Sequence, residues 1–265
     1  MSLLKKTLSS FGIGTAKIEA VLQQEVLYPG QKVQVHLHIY GGAHEQVIEH
    51  LDVKLRCRYI AEAAVDTESD FVPLRQRVDE TYTLAHWSLV NALIIKPGET
   101  QLVEATLEVP WNTPVTIGDN KVWLDTELGH DQPLVKDQHS VTVRPDHLLD
   151  SIFSALESYG LRLRQVECEA LDGFTLPFGQ EFELVPIYGP YQGALRELDI
   201  FAYRDKDAIQ MWLDVDRPQR GRLTLLGDEV SQGKVTHHLT LHNGCNDADA
   251  QQVVVEALER YEMEN

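Results

Sequence analysis

The chain of 265 residues has few cysteines, no long apolar run and little positive charge. Its three cysteines, Cys57, Cys168 and Cys245, are odd in number and far apart, which disfavours a disulfide framework or a paired zinc site. We expect reduced, buried thiols. No apolar run approaches the ~18 residues that span a bilayer. The first residues also lack the continuous apolar stretch of a secretory signal, so a cytoplasmic location is expected.

The shortage of positive charge limits the classes of partner. Lysine and arginine total 23 against 41 aspartates and glutamates, which gives a formal net charge of −18. This charge repels phosphate backbones and anionic membrane surfaces, so nucleic-acid binding and membrane binding are both disfavoured. A basic protein partner fits the charge better. Apolar residues make up 43% of the chain, which is enough to build packed cores.

What the chain has in abundance is strict alternation of apolar and polar residues. Four such runs begin at Val33, Leu51, Val103 and Ile209. A period of two buries one face of a strand and leaves the other in water, as in antiparallel sheets packed on one side. The pattern places Asp214 and Asp216 on a wet face and predicts an all-β fold. Turn dipeptides punctuate the runs: Pro29-Gly30, Gly41-Gly42, Pro97-Gly98, Asp172-Gly173 and Asn243-Gly244.

Helical periodicity is confined mainly to residues 2–11, 147–159 and 247–261. Because long helices do not separate the strands, βαβ units and a parallel nucleotide-binding sheet are disfavoured. A boundary near Pro145 predicts two tandem β-sandwich domains, residues 1–145 and residues 146–245, the second beginning with a short helix. A C-terminal helix over residues 246–265 follows. The apolar helical faces comprise Leu4, Leu8 and Phe11, then Leu148, Ile152, Leu156 and Tyr159, then Ala250, Val254, Leu258 and Tyr261.

Histidine is plentiful, with 11 residues, which makes metal coordination a candidate function. His44 and His50 are six residues apart, which does not match the H-E-x-x-H motif of zinc proteases. The segment from 130 to 139 carries possible ligands in His130, Asp131, Asp137 and His139. It is either a metal-binding module, with metal-assisted hydrolysis as its activity, or an ordinary solvated loop. No catalytic, cofactor-binding or metal-ligating residue is assigned, and no cofactor is expected.

Two segments are candidate binding surfaces. The amphipathic segment from Ser2 to Phe11 packs on its own sheet, docks on a partner, or makes the protein a peripheral membrane adaptor. The aromatic and proline-rich stretch from Pro177 to Tyr191 is either a docking loop or a corner of a sandwich.

Four segments, in order along the chain, resemble the bacterial sporulation-control protein M family of stage zero. They are Phe11-Gly12-Ile13-Gly14-Thr15-Ala16-Lys17 leading to Tyr28-Pro29-Gly30, residues 123–128 running to 141–145, residues 176–186, and Glu197-Leu198-Asp199 with residues 213–217. The resemblance implies an arrestin-like fold of two β-sandwich domains joined by a short hinge. It also implies a regulatory, non-enzymatic protein of the bacterial cytoplasm, and it brings no catalytic or ligand residues with it.

The resulting hypothesis is a regulator or scaffold that binds protein partners through sheet edges, loops or terminal helices. The alternatives are the metal-binding or hydrolytic module of the 130–139 segment and the membrane adaptor of residues 2–11. A homodimer is a further hypothesis, because open sandwich edges invite pairing.

Overall fold

The computed structural model describes residues 15–65, 74–90, 92–129, 135–171, 174–215 and 235–264. Within these ranges the chain is mostly β. The elements are β1 Lys17–Leu22, β2 Val26–Leu27, β3 Lys32–Tyr40, β4 Gln46–Ile48, β5 His50–Val65, β6 Leu74–Val90, β7 Leu93–Ile95, β8 Thr100–Glu108, β9 Val122–Gly129, β10 Val135–Val143, α1 His147–Ser158, β11 Leu161–Ala170, β12 Phe178–Pro186, β13 Leu198–Arg204, β14 Ala208–Val215, β15 Val235–His242 and α2 Asp247–Glu264.

The chain divides into two compact units. The first unit comprises the described residues up to Cys57, with Tyr82–Thr113 and Lys121–Val143. The second comprises the described parts of Arg58–Thr81, Pro114–Asn120 and the chain from Arg144 onward. The predicted domains, residues 1–145 and 146–245 with a C-terminal helix over 246–265, stay a prediction.

The first unit is a sandwich of antiparallel sheets. One sheet has the strand order β1-β3-β8, and in the other β5 pairs with β6 and β9, and β9 with β10. The short strand β2 joins β10 in parallel, and β4 pairs with β7. The two larger sheets pack against each other, as the contacts of β1 with β9 and β10 show. Aligned packing of two sheets places alternate side chains of each strand in a shared core.

The core of the first unit follows the alternation read from the sequence. Strand β3 buries every second residue while the residues between them reach solvent. Strand β5 does the same over its first half. Each core side chain is at most 3% exposed: Val33, Val35, Leu37, Ile39, Leu51, Val53, Leu55 and Cys57. The prediction of strands packed on one face is therefore confirmed for both runs.

The second unit contains a five-stranded antiparallel sheet in which β11 to β15 are neighbours in chain order. Both helices pack on it: α1 contacts β11 and α2, and α2 contacts β15. The helices share one buried cluster with the sheet. It includes Leu148, Ile152 and Leu156 of α1, Ala250, Val254 and Leu258 of α2, and Phe182, Ile200, Met211 and Leu213 of the sheet. The two helices predicted here are confirmed, and their predicted faces are buried at Leu148, Ile152, Leu156, Ala250, Val254 and Leu258. Tyr159 is half-buried against the same cluster, and the side chain of Tyr261 lies outside the described part of the structure.

Local sequence fixes both ends of α1. Asp146 caps the N-terminus, since its Oδ1 accepts hydrogen bonds from the amides of Leu148 and Leu149 at 3.0 Å. Gly160 follows the last turn with φ of +84°, a conformation that favours glycine. A Cβ at Gly160 would lie 1.9 Å from the carbonyl oxygen of Tyr188. The chain therefore needs glycine here to turn from α1 into β11.

Candidate functional site

Strand β8 carries an open edge. Among the described residues it pairs with β3 and with no second strand. The Gly41 amide donates to the Glu99 carbonyl at 2.7 Å, and the Val109 amide donates to the Gln31 carbonyl at 2.8 Å. In an antiparallel ladder, main-chain groups of successive residues point alternately to opposite sides. The odd-numbered residues of β8 therefore bond to β3, and the even-numbered residues point away from it.

We call this outward row the β8 edge. It consists of the main-chain N–H and C=O groups of Thr100, Leu102, Glu104, Thr106 and Glu108, whose side chains are all exposed. The amide of Gln23 donates to the carbonyl of Gln34 at 3.0 Å, so the main chain of Gln34 bonds towards β1 and not towards the main chain of Thr106, its neighbour on β8. This agrees with the outward direction of Thr106. An open row of this kind is a template for a further strand.

The side chains beside the β8 edge are polar, with one apolar exception. Leu102 is 49% exposed, and the Glu104 side chain is 62% exposed with its Oε1 3.6 Å from Nε2 of His36. Thr106 accepts a hydrogen bond from Gln34 Nε2 at 2.8 Å. On the inner face, Val103 and Ala105 are only half-buried. The inner face of the sheet is thus less completely covered along β8 than along β3.

An exposed apolar pair lies near the start of β8. Val47 of β4 and Ile94 of β7 are direct cross-strand neighbours, 42% and 55% exposed. Gln101 connects this two-stranded sheet to β8, because its Nε2 donates to the Ile94 carbonyl at 2.9 Å. Together with Leu102, these residues give the first unit exposed apolar surface beside an open strand edge.

In the other large sheet of the first unit, charged side chains of β5 form ion pairs with those of β9. Lys54 Nζ lies 2.8 Å from Oε2 of Glu127, and Arg56 Nη1 lies 3.0 Å from Oδ2 of Asp125. Earlier in β5, Asp52 accepts a hydrogen bond from Ser88 at 2.5 Å. These cross-strand contacts stabilise pairing within the sheet.

The second unit holds a buried ion pair at the start of α1. Arg204 Nε lies 2.6 Å from Oδ2 of Asp146, and the two side chains are 10% and 8% exposed. Arg204 Nη1 also donates to Oδ1 of Asn243, in the turn before α2. Asp146 therefore caps α1 with one oxygen and binds the end of β13 with the other. This contact connects the starts of both helices to the sheet.

Aromatic side chains cluster on the face of the second unit's sheet opposite the one on which α1 and α2 pack. Trp212 stacks on His238 with ring centroids 4.7 Å apart, and Phe174 lies 4.7 Å from Tyr203. In the same face, Glu183, Asp199 and Asp214 are cross-strand neighbours. The sequence predicts a wet position for Asp214, and this prediction is wrong: Asp214 is 6% exposed. Asp216 lies outside the described residues.

The residues of the predicted metal segment are only partly described. His130 and Asp131 lie outside the described residues. Asp137 and His139 lie two residues apart on β10, opposite Thr126 and Leu124 of β9, and both make further contacts. In the ranges that the structure covers, no group of three histidine, cysteine or acidic side chains could hold a metal ion.

The two predicted binding segments have different outcomes. The amphipathic segment from Ser2 to Phe11 lies outside the described residues. In the stretch from Pro177 to Tyr191, Phe178, Phe182 and Tyr191 are at most 2% exposed and belong to the interior. Ile187 and Tyr188, at 39% and 48% exposed, are the exposed large hydrophobic residues of this stretch. The docking-loop interpretation is therefore wrong for its buried aromatic residues.

The thiols have the expected free state. Cys57 and Cys168 are buried, and Cys245 is half-buried. Burial raises the pKa of the Cys57 thiol to about 12. It also raises the pKa of Cys245, where the nearby Asp249 carboxylate contributes. Neither environment favours the thiolate that nucleophilic catalysis requires. No helix within the described residues is both long and apolar enough to cross a membrane.

Comparison with known proteins gives one consistent result. The sequence matches the profile of the Spo0M family, described as SpoOM protein, over residues 4–219. It is 30% identical over 237 residues to the sporulation-control protein spo0M of Bacillus subtilis strain 168, covering 88% of each chain. The structure superimposes on the crystal structure of Spo0M from Bacillus subtilis with a TM-score of 0.77 and 27% identity. The alignment covers 94% of this chain and all of that one.

These matches confirm the predicted resemblance and the predicted fold class, which is mostly β and arrestin-like. They agree with the sandwich of the first unit and with the alternating strands of both units. The chain belongs to the family of SpoOM sporulation-control proteins.

Proposed function

We propose that this protein is a non-catalytic regulator that binds protein partners by strand addition at the β8 edge. The observation that carries the proposal is the outward row of main-chain groups from Thr100 to Glu108, which no described strand covers. An extended segment of a partner would form main-chain hydrogen bonds with this row, and its side chains would contact the exposed residues of β8.

Membership of the family supports the regulatory part of the proposal. The Bacillus subtilis relative is named for sporulation control, and the likeness extends over most of both chains. A regulator of this kind acts through contacts with other macromolecules. Sheet edges are the part of a β protein where such contacts form at little cost in rearrangement.

One further observation supports a cytoplasmic location. The three free thiols fit a reducing compartment, because disulfides are rare in the cytosol.

Affinity capture from cytosolic extract of the source organism tests the proposal. The bait is the full chain, compared by quantitative mass spectrometry with a Glu104→Lys/Glu108→Lys variant. A Glu25→Lys/Glu49→Lys variant is the matched control, since both residues are exposed in the same unit and the change in net charge is identical. We expect at least one protein that the wild type and the control capture and the β8-edge variant loses.

The proposal fails if the three baits capture the same proteins, or if none is enriched. Turnover of a small molecule by the purified chain would contradict its non-catalytic part. Thermal unfolding of each bait shows whether a lost partner reflects the changed edge or a changed fold.

A further inference from the structure

The β8 edge has an electrostatic character that restricts which strand can bind it. The side chains of Glu104 and Glu108 lie on the exposed face of β8 beside this edge, with Thr106 between them and Leu102 before them. Cross-strand neighbours of opposite charge stabilise an antiparallel pair, and like charges destabilise it. A strand that lies beside β8 therefore meets a row with two carboxylates, one hydroxyl and one apolar side chain.

We propose that the β8 edge binds an extended cationic segment with lysine or arginine opposite Glu104 and Glu108 and apolar residues at alternate positions. This inference rests on the proposed function and specifies the partner's chemistry. In the antiparallel direction the segment reads basic, apolar, polar, apolar, basic, apolar, apolar.

Strand β3 supplies a template for this pattern. It pairs with β8 on the side opposite the β8 edge, and its residues lie next to the same side chains of β8 that an added strand would meet. Opposite Glu108, Thr106, Glu104 and Leu102 it places Lys32, Gln34, His36 and His38. Opposite the four exposed side chains of β8, strand β3 thus has one lysine, one glutamine and two histidines. A strand on the open side meets the same acidic row from the opposite flank.

The inner face explains why the intervening positions of the partner would be apolar. Val33, Val35, Leu37 and Ile39 of β3 are at most 3% exposed, because strands flank them on both sides. Val103 and Ala105 of β8 are only half-buried, since one side of β8 is open. An added strand with apolar side chains on this face would remove their remaining surface from water.

A second copy of this chain is a poorer occupant on the same grounds. Two copies joined along the β8 edge would bring Glu104 and Glu108 of each chain together. Each chain also carries a net charge of −18, so association would be opposed by repulsion at longer range. A cationic segment would instead be attracted both by Glu104 and Glu108 and by the net negative charge of the chain.

Fluorescence anisotropy with a labelled synthetic peptide, acetyl-Lys-Val-Thr-Val-Lys-Ile-Val-amide, tests the inference on the full chain. Its matched partner has both lysines replaced by glutamate. We expect saturable binding of the lysine peptide, with affinity at least about tenfold above that of the glutamate peptide from two reversed cross-strand pairs. We also expect weaker binding as salt is raised, because the ion pairs are exposed.

Backbone methylation separates strand addition from simple charge attraction. The first, third, fifth and seventh peptide positions face the outward groups of β8, so their amides would bond to it. Methylating the third amide should weaken binding about tenfold or more, since it removes a bond and adds a clash. Methylating the fourth amide, which points away from β8, should change the affinity by less than about threefold. Equal effects of the two methyl groups would overturn the inference.

The protein variants give the remaining outcomes. Glu104→Lys/Glu108→Lys should prefer the glutamate peptide, and Glu25→Lys/Glu49→Lys should keep the wild-type preference. Sedimentation of the chain alone detects a dimer, and a dimer that Glu104→Lys/Glu108→Lys abolishes would overturn the inference in favour of a second copy. If the lysine peptide fails to bind but affinity capture still finds a partner lost with the edge variant, the proposed function stands and the cationic pattern is wrong.

Discussion

The pair of Arg204 and Asp146 is deeply buried, with side chains 10% and 8% exposed. Its carboxylate accepts bonds from two amides of α1 as well as from the guanidinium, so burial is balanced by several hydrogen bonds. Removing one member of such a pair leaves a buried charge without its counter-ion. The contact matters because it connects α1 to the end of β13.

Replacing Arg204 with alanine should therefore lower the free energy of unfolding by about 3–5 kcal/mol. Arg162→Ala is the matched control, because Arg162 forms an exposed pair with Glu157 at 3.8 Å. Its loss should cost less than about 1 kcal/mol. Urea denaturation of both variants measures the difference, and comparable losses would show that burial does not set the strength of the Arg204 pair.

The thiols give a second residue-scale prediction. Cys57 and Cys168 are 0% and 2% exposed, whereas Cys245 is half-buried near the start of α2. With a thiol reagent such as DTNB, the native chain should release one equivalent of product, and the denatured chain three, one for each cysteine. Cys245→Ser should abolish the native reaction. Release of more than one equivalent from the native protein would contradict the burial of Cys57 and Cys168.

At the scale of the elements, strand β8 is hydrogen-bonded to β3 along one side, and no described strand pairs with its other side. The amide of Ala105 points to Val35 of β3, whereas the amide of Thr106 points to the open edge. Proline lacks this amide and is tolerated where a strand has a free edge. The two neighbouring residues therefore offer opposite tests of the same geometry.

Ala105→Pro should be less stable than Thr106→Pro by about 1–3 kcal/mol, because it leaves the Val35 carbonyl without its donor. Thr106→Pro loses only an outward amide and an exposed hydrogen bond from Gln34. Thermal or urea unfolding of the two variants measures this order. If Thr106→Pro were the more damaging change, the outward direction of the even residues would be wrong.

Two ion pairs join the start of β6 to β11. Arg77 Nη2 lies 2.6 Å from Oε2 of Glu167 and 2.8 Å from Oε1 of Glu169. Burial raises the pKa of Glu167, but hydrogen bonds from Arg77 and Gln165 outweigh it, and the net pKa lies below the ordinary value of 4.5. Because the folded-state pKa is lowered, the stabilisation is full above pH 4.5 and is lost as pH falls through the folded-state value.

Glu167→Gln should therefore make the free energy of unfolding depend less on pH in the acid range. We expect the variant to be less stable than the wild type at neutral pH, with the difference shrinking below pH 4.5 as the wild-type carboxyl is protonated. Urea midpoints measured across this range check the sign. A difference that grows towards acid pH would contradict the lowered pKa.

Several elements could be predicted from the sequence because their cause is local. The alternation that begins at Val33 and at Leu51 fixes which face of β3 and β5 is buried, and Leu148, Ile152 and Leu156 mark the buried face of α1. Asp214 is different, since it follows the polar phase of its strand yet is buried. Its burial depends on what covers the second face of the sheet, which a period of two does not encode.

At the scale of the whole molecule, the fold class and the family could be predicted, and the candidate site could not. The motifs around residues 11–30 and 176–186 lie in an order shared with sporulation-control proteins, and the comparisons confirm that kinship. Which strand is left open depends on pairing between residues distant in sequence, such as Val35 with Ala105. No local pattern in residues 100–108 distinguishes an edge strand from a central one.

The net charge of −18 connects this scale to the proposed function. It disfavours self-association and nucleic acid, and it favours the basic partner that the β8 edge selects locally. The charge of the molecule and the chemistry of its open strand therefore agree. Binding through this strand is the central claim.

Amide hydrogen exchange along β8, resolved residue by residue with and without a captured partner, tests that claim most directly. In the free chain, the amides of Leu102, Glu104 and Thr106 should exchange fast, while those of Val103, Ala105 and Leu107 should be protected by β3. Saturation with the partner should protect the even-numbered amides and erase the alternation. Even-numbered amides that are protected in the free chain, or that still exchange fast in the complex, would contradict strand addition at the β8 edge.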